Sequence, residues 1–424
     1  MNAKRVTDYF RRNGIGSTYY AVRQHLSDAK VDREYNRDLK ALHDIRTIDD
    51  ASLARQTGNC LPNKPLISIL VPTYRPEDKY FREMLRSVKA QTYQNFELLL
   101  GAGGGISENT NAALSEARGD YIALLDQDDF IEPDALYRIA LEINMDAKLI
   151  YTDEDKYDTE NDCYLRPFRK PDFDMDLLLS NNYVCHFLAV KRELALKAGG
   201  FNSEYDGAQD HDFILRCAEL IKPEEISHVR RILYHWRIHK GSTAGDPGEK
   251  NYAHTAGKRA IEDYLKRNGK DAEVSETEHR GFYRVEYKAG SADEDGYKMY
   301  LGKGIYPVKK DYESRMRAYL EANPDVGAVG GRVIDLLGRV ISAGYERNED
   351  REVVPLYRGM NYRMSGEFHM AKLRRQVDII SNQCMMLRSS LEDCAVSDSG
   401  RMCRKIRDKG YRIVIDPQMV FVKK

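Results

Sequence analysis

The sequence has little that would mark a membrane-spanning, secreted or nucleic-acid-binding protein. Its 424 residues include 66 lysines and arginines and 67 aspartates and glutamates, so the near-zero net charge gives no case for nucleic-acid binding. The seven cysteines form no C-x-x-C pair, and their odd number favours reduced thiols. The sequence shows neither a signal-peptide pattern nor an apolar run long enough to span a bilayer. We therefore expect a cytoplasmic protein.

The first 62 residues are predicted to be an N-terminal helical, basic segment followed by a linker. Within residues 1–25, five basic side chains face a single aspartate, and aromatic residues are interleaved with them. A basic amphipathic segment can lie on an anionic membrane surface, which would make the protein peripheral at the inner face of the cell membrane. The alternative is a helix that packs on the next domain. Residues 50–65 contain glycine and proline and are predicted to be the linker.

From Leu66 onwards, short apolar strands alternate with amphipathic helices. The predicted strands are LISILVPTY, FELLL, YIALL and AKLIYT, and a helical pattern separates each from the next. Such alternation predicts an α/β fold with a mostly parallel sheet whose faces are covered by helices. Ligands of these folds bind beyond the carboxyl ends of the strands.

Acidic residues stand where two of these strands are expected to end. Asp126, Asp128 and Asp129 follow YIALL, and residues 153–155, which read Asp-Glu-Asp, are expected to end AKLIYT. Two carboxylates in a D-x-D pattern suit Mg²⁺ or Mn²⁺, which would neutralise the charge of a departing diphosphate. A solvated turn is the alternative, because aspartate also favours turns.

Two later segments add candidate site residues. In GGFNSEYDGAQDHDFILRCAEL, a helix is predicted to start near Asp210, with Asp212 in the same first turn. These carboxylates either complement the helix dipole or supply a general base. In ILYHWRIHKGST, the single tryptophan, Trp236, has polar neighbours and is either a core residue or a platform for a sugar ring.

The order of these motifs resembles family 2 glycosyltransferases of the GT-A fold, in particular the group that builds bacterial surface polysaccharides of the rhamnan or O-antigen type. The resemblance covers roughly residues 65–245. It implies an inverting transferase with a nucleotide-diphospho-sugar donor, a divalent cation (Mg²⁺ or Mn²⁺) and a glycan or lipid-linked glycan acceptor. The matching pieces are SILVPTY, QTYQNFELLL, GGISENTNAALSEARGDYIALLDQDDFIEPDAL, YTDEDK, GGFNSEYDGAQDHDFILR and LYHWRIHKGSTA.

The resemblance also implies a role for individual residues of this sequence. Asp210 would be the base that deprotonates the acceptor hydroxyl, Asp128 would hold the metal, and Asp126 would lie beside the ribose and the metal. The other residues expected on the donor side are Pro72, Thr73, Tyr74 and Asn111. Those expected on the acceptor side are His235, Trp236, Arg237, Asp153 and Glu154.

One departure from the family pattern concerns the nucleotide base. Relatives usually follow the second strand with an acidic DDGS-like turn that reads the base, and then with another strand. Here FELLL runs directly into GAGGGISENTN, which is not a phosphate loop because no G-K-[ST] follows. We therefore expect weak discrimination among nucleotide bases.

Residues 281–424 look like a repeat of the later half of the first domain. DGYKMYLGKGIYP echoes GDYIALLDQDDFIEP, and YRIVIDPQMVFVKK echoes ISHVRRILYHWR. The second copy has no acid between Tyr297 and Pro307, and Val422 and Lys423 stand where the histidine and tryptophan would be. We therefore predict a GT-A catalytic domain over residues 63–270 and a degenerate, non-catalytic GT-A-like domain over residues 271–424.

Two other functions fit parts of the sequence. A catalytically impaired sugar-binding or scaffold protein of a polysaccharide assembly system would explain the shortened base-binding region, although the intact acids oppose it. A nucleotidyltransferase would share the strand-end carboxylates, but PTYRPEDKY lacks the glycine- and lysine-rich phosphate loop that it needs.

Overall fold

A computed structural model describes residues 3–43, 56, 61–239, 250–288, 290, 296–347 and 352–424. Most of the predicted linker lies outside these residues. The chain forms two compact units. We call Asp28–Phe173 with Asn182–Tyr264 the N-terminal unit, and Met1–Ser27, Asp174–Asn181 and Leu265–Lys424 the C-terminal unit. The domain boundaries after residues 62 and 270 stay predictions.

The N-terminal unit contains a sheet in the order β2-β1-β3-β7-β5-β8-β4, with β6 paired to β5. Strand β1 is parallel to β2 and β3, and β5 is parallel to β8, whereas β7 is antiparallel to both of its neighbours. The strands are β1 (Ile67–Pro72), β2 (Phe96–Gly101), β3 (Tyr121–Leu124), β4 (Phe130–Ile131), β5 (Leu149–Asp158), β6 (Cys163–Phe168), β7 (Leu188–Lys191) and β8 (Ile226–Ile238).

Helices cover this sheet through apolar faces at helical spacing. In α2, Tyr80, Met84 and Val88 recur every four residues and are buried, and Met84 and Val88 pack in the same core cluster as the β1 residues Ile67 and Ile69. Within the described residues the α-helices are α1 (Ala3–His43), α2 (Asp78–Lys89), α3 (Ile106–Glu116), α4 (Ala135–Ile143), α5 (Met175–Leu178), α6 (Arg192–Lys197), α7 (Gln209–Ala218), α8 (Lys250–Arg267), α9 (Tyr312–Ala322) and α10 (Ser399–Asp408).

Strand β2 runs directly into α3 through the glycines of GAGGG, as the sequence predicts. A Cβ atom on Gly101 would lie 1.7 Å from the carbonyl oxygen of Asn109, so only glycine fits there. The Asn109 side chain accepts from the Gly104 amide at 2.8 Å and donates to the Thr73 carbonyl at 3.1 Å. This amide therefore ties the short junction to the end of β1.

The prediction that the fourth strand ends at the acids of residues 153–155 is wrong, because β5 continues to Asp158. Successive side chains of a strand point to opposite faces, so the outer two acids and the central one reach different partners. Asp153 lies 2.8 Å from His228, Glu154 lies 2.9 Å from Lys170, and Asp155 lies 2.6 Å from His235. Partnered carboxylates can be buried, so the strand does not need to stop at them.

The C-terminal unit contains a second sheet in the order β11-β18-β13-β19-β12, with β14 on β13 and β17 on β19. Only β13 and β19 are parallel among its paired, described strands. Two hairpins accompany it, β9 with β10 and β15 with β16. The strands are β9 (Ala272–Glu276), β10 (Tyr283–Tyr287), β11 (Tyr297–Leu301), β12 (Ile305–Pro307), β13 (Val326–Ile334), β14 (Val340–Ser342), β15 (Tyr345–Arg347), β16 (Val353–Pro355), β17 (Arg375–Gln376), β18 (Cys384–Arg388) and β19 (Arg412–Lys423).

Helix α1 carries the basic N-terminal segment and has a non-helical backbone at Gly14, where φ is 75°. A positive φ of this size favours glycine. Among the residues that the structure describes, no helix combines the length and the apolar character that crossing a membrane requires.

Candidate active site in the N-terminal unit

The acidic turn after β3 is anchored by its last aspartate. Asp129 is buried and accepts hydrogen bonds from the Tyr234 hydroxyl at 2.5 Å and the Arg237 amide at 2.7 Å. Burial, together with Asp126 and Asp128, raises the pKa of the Asp129 carboxyl well above its ordinary value. The Asp126 and Asp128 side chains stay 43% and 31% exposed, so the anchored turn presents two carboxylates to solvent.

Arg237 packs against this turn and stabilises it. Its side chain is buried, its Nε donates to the Asp128 carbonyl at 2.6 Å, and its guanidinium lies 2.7 Å from the Glu83 carboxylate. The guanidinium also stands over the rings of Tyr80 and Phe130, each at 4.9 Å. These contacts fit a structural role, and its predicted place on the acceptor side stays a prediction.

Asp128 faces a histidine that follows β8. Its Oδ2 lies 2.9 Å from Nε2 of His239, so a carboxylate oxygen and an imidazole nitrogen converge on one point. Both groups are ordinary ligands of divalent cations such as Mn²⁺.

Asp126 faces a second histidine, which belongs to a buried network. Nε2 of His186 lies 3.6 Å from Oδ2 of Asp126, and its Nδ1 lies 3.4 Å from Oε2 of Glu154. The imidazole stacks on the Tyr234 ring, with the centroids 4.7 Å apart. Glu154 also accepts from the buried Lys170 ammonium at 2.9 Å.

The charged groups of this network shift the pKa values of Glu154 and His186. Burial alone would raise the pKa of Glu154, but Lys170 and His186 lower it to about 2. Burial would lower the pKa of His186, yet Cys185, Asp126 and Glu154 raise it well above its ordinary value. The two ring nitrogens of His186 therefore face two different carboxylates, Asp126 and Glu154.

The two acids of the α7 first turn have different surroundings. Asp212 is fully buried and pairs with Arg216 at 2.6 Å, which is a structural contact within the helix. Asp210 is partly exposed, and its Oδ2 accepts from the Asn182 amide at 2.7 Å and lies 3.7 Å from Sγ of Cys185. The sequence pattern offers either acid as the base and the resemblance implies Asp210, which is the one of the two that is partly exposed.

A chain of contacts connects Asp210 to the acidic turn. The Cys185 sulfur that touches Asp210 also lies 3.2 Å from the His186 ring, and His186 reaches Asp126. Residues that are far apart in the sequence thus line one continuous region. The burial of the thiol raises the pKa of Cys185 to about 11, so it is protonated at neutral pH.

The end of β1 is attached to the same turn. Tyr74 exchanges two backbone hydrogen bonds with the side chain of Gln127, at 2.8 and 3.0 Å, and its own side chain is 66% exposed. Thr73 donates from both its amide and its hydroxyl to the Gly101 carbonyl. Pro72, Thr73 and Tyr74 therefore adjoin the acidic turn, and their contact with a nucleotide base stays a prediction.

Three other predicted residues make contacts that are structural in kind. The Asn111 amide bonds both ways to the Phe201 backbone at 2.7 and 2.8 Å. His235 is 2% exposed, and although burial alone would lower its pKa, Asp155 and Glu132 raise it to about 9. Trp236 carries the Lys156 ammonium 4.2 Å above its ring. Their predicted ligand contacts stay predictions.

Several residues of this site carry no recognisable signal in the sequence. The segment NNYVCHF has no motif spacing, and tertiary packing alone brings Cys185 and His186 between Asp126 and Asp210. His239 is a polar residue close to Trp236 in the sequence. This position is the one signal in the sequence for a missed site residue. The remaining members are Lys170, Asn182 and Tyr234.

These strands and acids define the N-terminal unit as a GT-A-type α/β domain. Residues 100–197 match the family model of glycosyl transferase family 2, so the chain contains a domain of that family. The matched residues include Asp126, Asp128 and the histidine network, and Asp210 lies beyond them.

Curated relatives match about half of this chain. It is 39% identical over 238 residues to an uncharacterized protein, y4gI, of Sinorhizobium fredii, covering 49% of this chain and 26% of the relative. It is 33% identical over 246 residues to the O-antigen biosynthesis protein RfbC of Myxococcus xanthus, covering 51% and 19%. It is 26% identical over 209 residues to a chondroitin synthase of Pasteurella multocida, covering 42% and 21%. The chain thus spans about a quarter or less of the length of these relatives.

Among solved structures, the chain is similar to residues 1–349 of Staphylococcus aureus TarS in complex with UDP-GlcNAc. The identity is 17% and the TM-score is 0.38, over 47% of this chain and 66% of that chain.

Proposed function

We propose that the N-terminal unit is an inverting glycosyltransferase that moves a sugar from a nucleotide-diphospho-sugar to a glycan acceptor. The observation that carries this proposal is the contact chain from Asp210 through Cys185 and His186 to Asp126. This chain of contacts supports the proposal because it connects the candidate base to one of the strand-end carboxylates. The family match over residues 100–197 supports the same reaction class.

The proposal includes a divalent cation. Asp128 and His239 offer an oxygen and a nitrogen at 2.9 Å from each other, and oxygen and nitrogen ligands of this kind suit Mn²⁺ or Mg²⁺. Such an ion supplies positive charge against the diphosphate of the donor. Asp128 and His239 would hold it, and Asp126 would lie beside it.

Asp210 would act as the general base. Its carboxylate is oriented by the Asn182 amide and is partly exposed, so it can accept the proton of an acceptor hydroxyl. The acceptor oxygen attacks the anomeric carbon as the bond to the diphosphate breaks, which inverts the configuration. His186 would keep Asp126 oriented, because Glu154 and Lys170 fix the imidazole from the other side.

We propose a bacterial cell-surface polysaccharide as the product. The relatives named for O-antigen biosynthesis and chondroitin synthesis support this class. Peripheral contact with the inner face of the membrane would use α1, where Phe10, Ile15 and Tyr19 are exposed beside basic residues.

We infer further that the C-terminal unit is a degenerate copy of the transferase. Its strand order β11-β18-β13-β19-β12 repeats the order β3-β7-β5-β8-β4, and each pair keeps its direction. The acids of the first sheet have no counterpart between β11 and β12, where the residues are Gly302, Lys303 and Gly304. A domain that keeps its fold without those carboxylates would not catalyse transfer.

A catalytically impaired sugar-binding or scaffold protein is the second candidate. The short connection from β2 to α3 favours it, because the turn that usually contacts the base is missing. A thermal-shift screen of UDP-, GDP- and dTDP-sugars with and without Mn²⁺ separates the two. The transferase requires stabilisation by a donor that depends on Mn²⁺ and release of the nucleoside diphosphate when acceptor is added. Stabilisation without any release across acceptors would favour the scaffold.

A further inference from the structure

The C-terminal unit contains a cavity of about 350 Å³, which lies outside the site described above. A smaller cavity of about 80 Å³ shares Glu278, His279 and Lys372 with it, so the two adjoin. One wall of the larger cavity is formed by α1, whose lining residues recur at helical spacing. These are Tyr9, Asn13, Gly16, Ser17, Tyr20 and Ala21. A volume of this size suits a small ligand of one or two rings.

Positive charge predominates in the lining. Among the lining residues, Asp416 and Glu278 are the acids, and Asp416 pairs with Arg374 at 2.8 Å. Lys372 donates to the Tyr362 carbonyl at 2.9 Å, and among the described residues no carboxylate lies within ion-pair distance of its ammonium. Arg363 stands over the rings of Tyr20 and Tyr362, at 6.0 and 5.8 Å. Glu278 lies 3.7 Å from His279, so among the described residues neither Lys372 nor Arg363 has a carboxylate within ion-pair distance.

The protonation of Lys372 is consistent with an anion as its ligand. Burial, assisted by the nearby Arg332, lowers the pKa of the Lys372 ammonium to about 8. An anion placed beside it would offset this desolvation.

Aromatic rings line the smaller cavity, and one of them, His279, lines the larger cavity too. The imidazoles of His279 and His369 stack with centroids 3.6 Å apart, and Phe282 meets His369 edge-on at 4.8 Å. Phe368 and His369 have positive φ values of 47° and 60°, which cost energy for residues other than glycine and tend to occur at functional positions. Flat rings and hydroxyls beside cations suit the faces and the acidic group of a charged sugar.

From these contacts we propose that the cavity binds an anionic saccharide, with Lys372 and Arg363 holding its carboxylate or phosphate and the Tyr20 ring against its apolar face. The site lies within the C-terminal unit and needs no nucleotide or metal. Its occupation is therefore independent of whether the N-terminal unit transfers a sugar.

Isothermal titration calorimetry of the full chain, in EDTA and without nucleotide, tests this site. The probes are digalacturonate for a carboxylate sugar, glucose 1-phosphate for a phosphate sugar, and maltose and inorganic phosphate as controls. At least one of the two charged sugars should bind once per chain, and about tenfold or more tighter than either control. Which of them binds identifies the acidic group.

Two variants locate the binding. Lys372→Met and Arg363→Gln should each weaken it about tenfold or more, whereas Lys309→Met, at an exposed lysine of the same unit, should leave it unchanged. Arg363 is exposed, so its variant tests the site even if Lys372→Met fails to fold. The proposal is overturned if neither charged sugar binds, if maltose or phosphate binds equally well, or if Arg363→Gln binds as the wild type does.

Discussion

The two sheets of this chain share a strand order and differ in their polar residues. Strands β3-β7-β5-β8-β4 and β11-β18-β13-β19-β12 have the same neighbours in the same directions, and a short strand pairs with β5 and with β13 alike. Between β3 and β4 the chain places five residues, Leu125 to Asp129, three of which are acids. The corresponding turn between β11 and β12 has glycines and a lysine. The strand order therefore forms with or without acids in this turn. Strand pairing and core packing alone do not explain why the first turn has three of them.

The same contrast extends to the central strands. Strand β5 carries three acids in succession, each with a basic partner, while β13 is buried along its whole length and has no acid. Its charged residue, Arg332, donates to the carbonyl oxygens of Tyr362 and Ala371, and burial lowers the pKa of its guanidinium to about 10. Ion pairs occur around the second sheet as well, where Asp416 of β19 pairs with Arg374 and Arg375 of β17 pairs with Glu346, so the difference that remains is the pair of exposed carboxylates in the turn after β3.

The largest expected effect distinguishes an acid in the first turn of α7 from an acid at the N-cap of α10. Asp210→Asn should lower transfer about 10²–10⁴-fold with donor binding unchanged, because a positioned base acts only on the acceptor. The matched control is Asp398→Asn, which changes the N-cap of α10 in the C-terminal unit. Asparagine caps as well as aspartate, so this variant should keep both activity and stability. A loss of less than about tenfold at Asp210 would mean that the base lies elsewhere.

The second prediction concerns pH and the buried His235. Its folded-state pKa of about 9 exceeds its ordinary 6.5, so its stabilisation is fully present below pH 6.5 and is lost as pH rises through 9. The change amounts to up to about 3 kcal/mol. Urea unfolding of wild type and His235→Gln across this range should show curves that converge at high pH. Parallel curves would show that His235 is not held as an ion pair.

A third prediction concerns the short GAGGG junction. Without the usual acidic turn, UDP, GDP and dTDP should bind with affinities within about tenfold of one another, since one strong contact is worth about that much. Competition binding in the presence of Mn²⁺ measures this directly. A preference of about a hundredfold or more for one base would reveal a replacement contact.

The smallest expected effect is at the turn between β11 and β12. Lys303 is exposed, so Lys303→Ala should change the free energy of unfolding by less than about 0.5 kcal/mol and leave transfer unchanged. Thermal melts and product formation check both. A clear loss of transfer would mean that the C-terminal unit contributes to catalysis, although the turn between β11 and β12 has no carboxylate.

Much of the fold could be predicted from the sequence, and less of the site. The strands in LISILVPTY and YIALL could be predicted from their apolar runs. The direct connection from β2 to α3 could be predicted because the sequence lacks the acidic DDGS-like turn. The extension of β5 beyond residues 153–155 could not be predicted, because the partners that make burial tolerable come from distant segments. Residues such as His186 and Lys170 join the site only through tertiary packing, which leaves no periodic signal.

The central claim is that one sheet binds the donor and the other keeps only its shape. Calorimetric titration of the full chain with UDP in the presence of Mn²⁺ tests it most directly, through the number of sites. We predict one site per chain, with UDP affinity falling at least about tenfold in Asp128→Asn, because that carboxylate would hold the metal. Two sites per chain, or one site that persists unchanged in Asp128→Asn, would contradict the account.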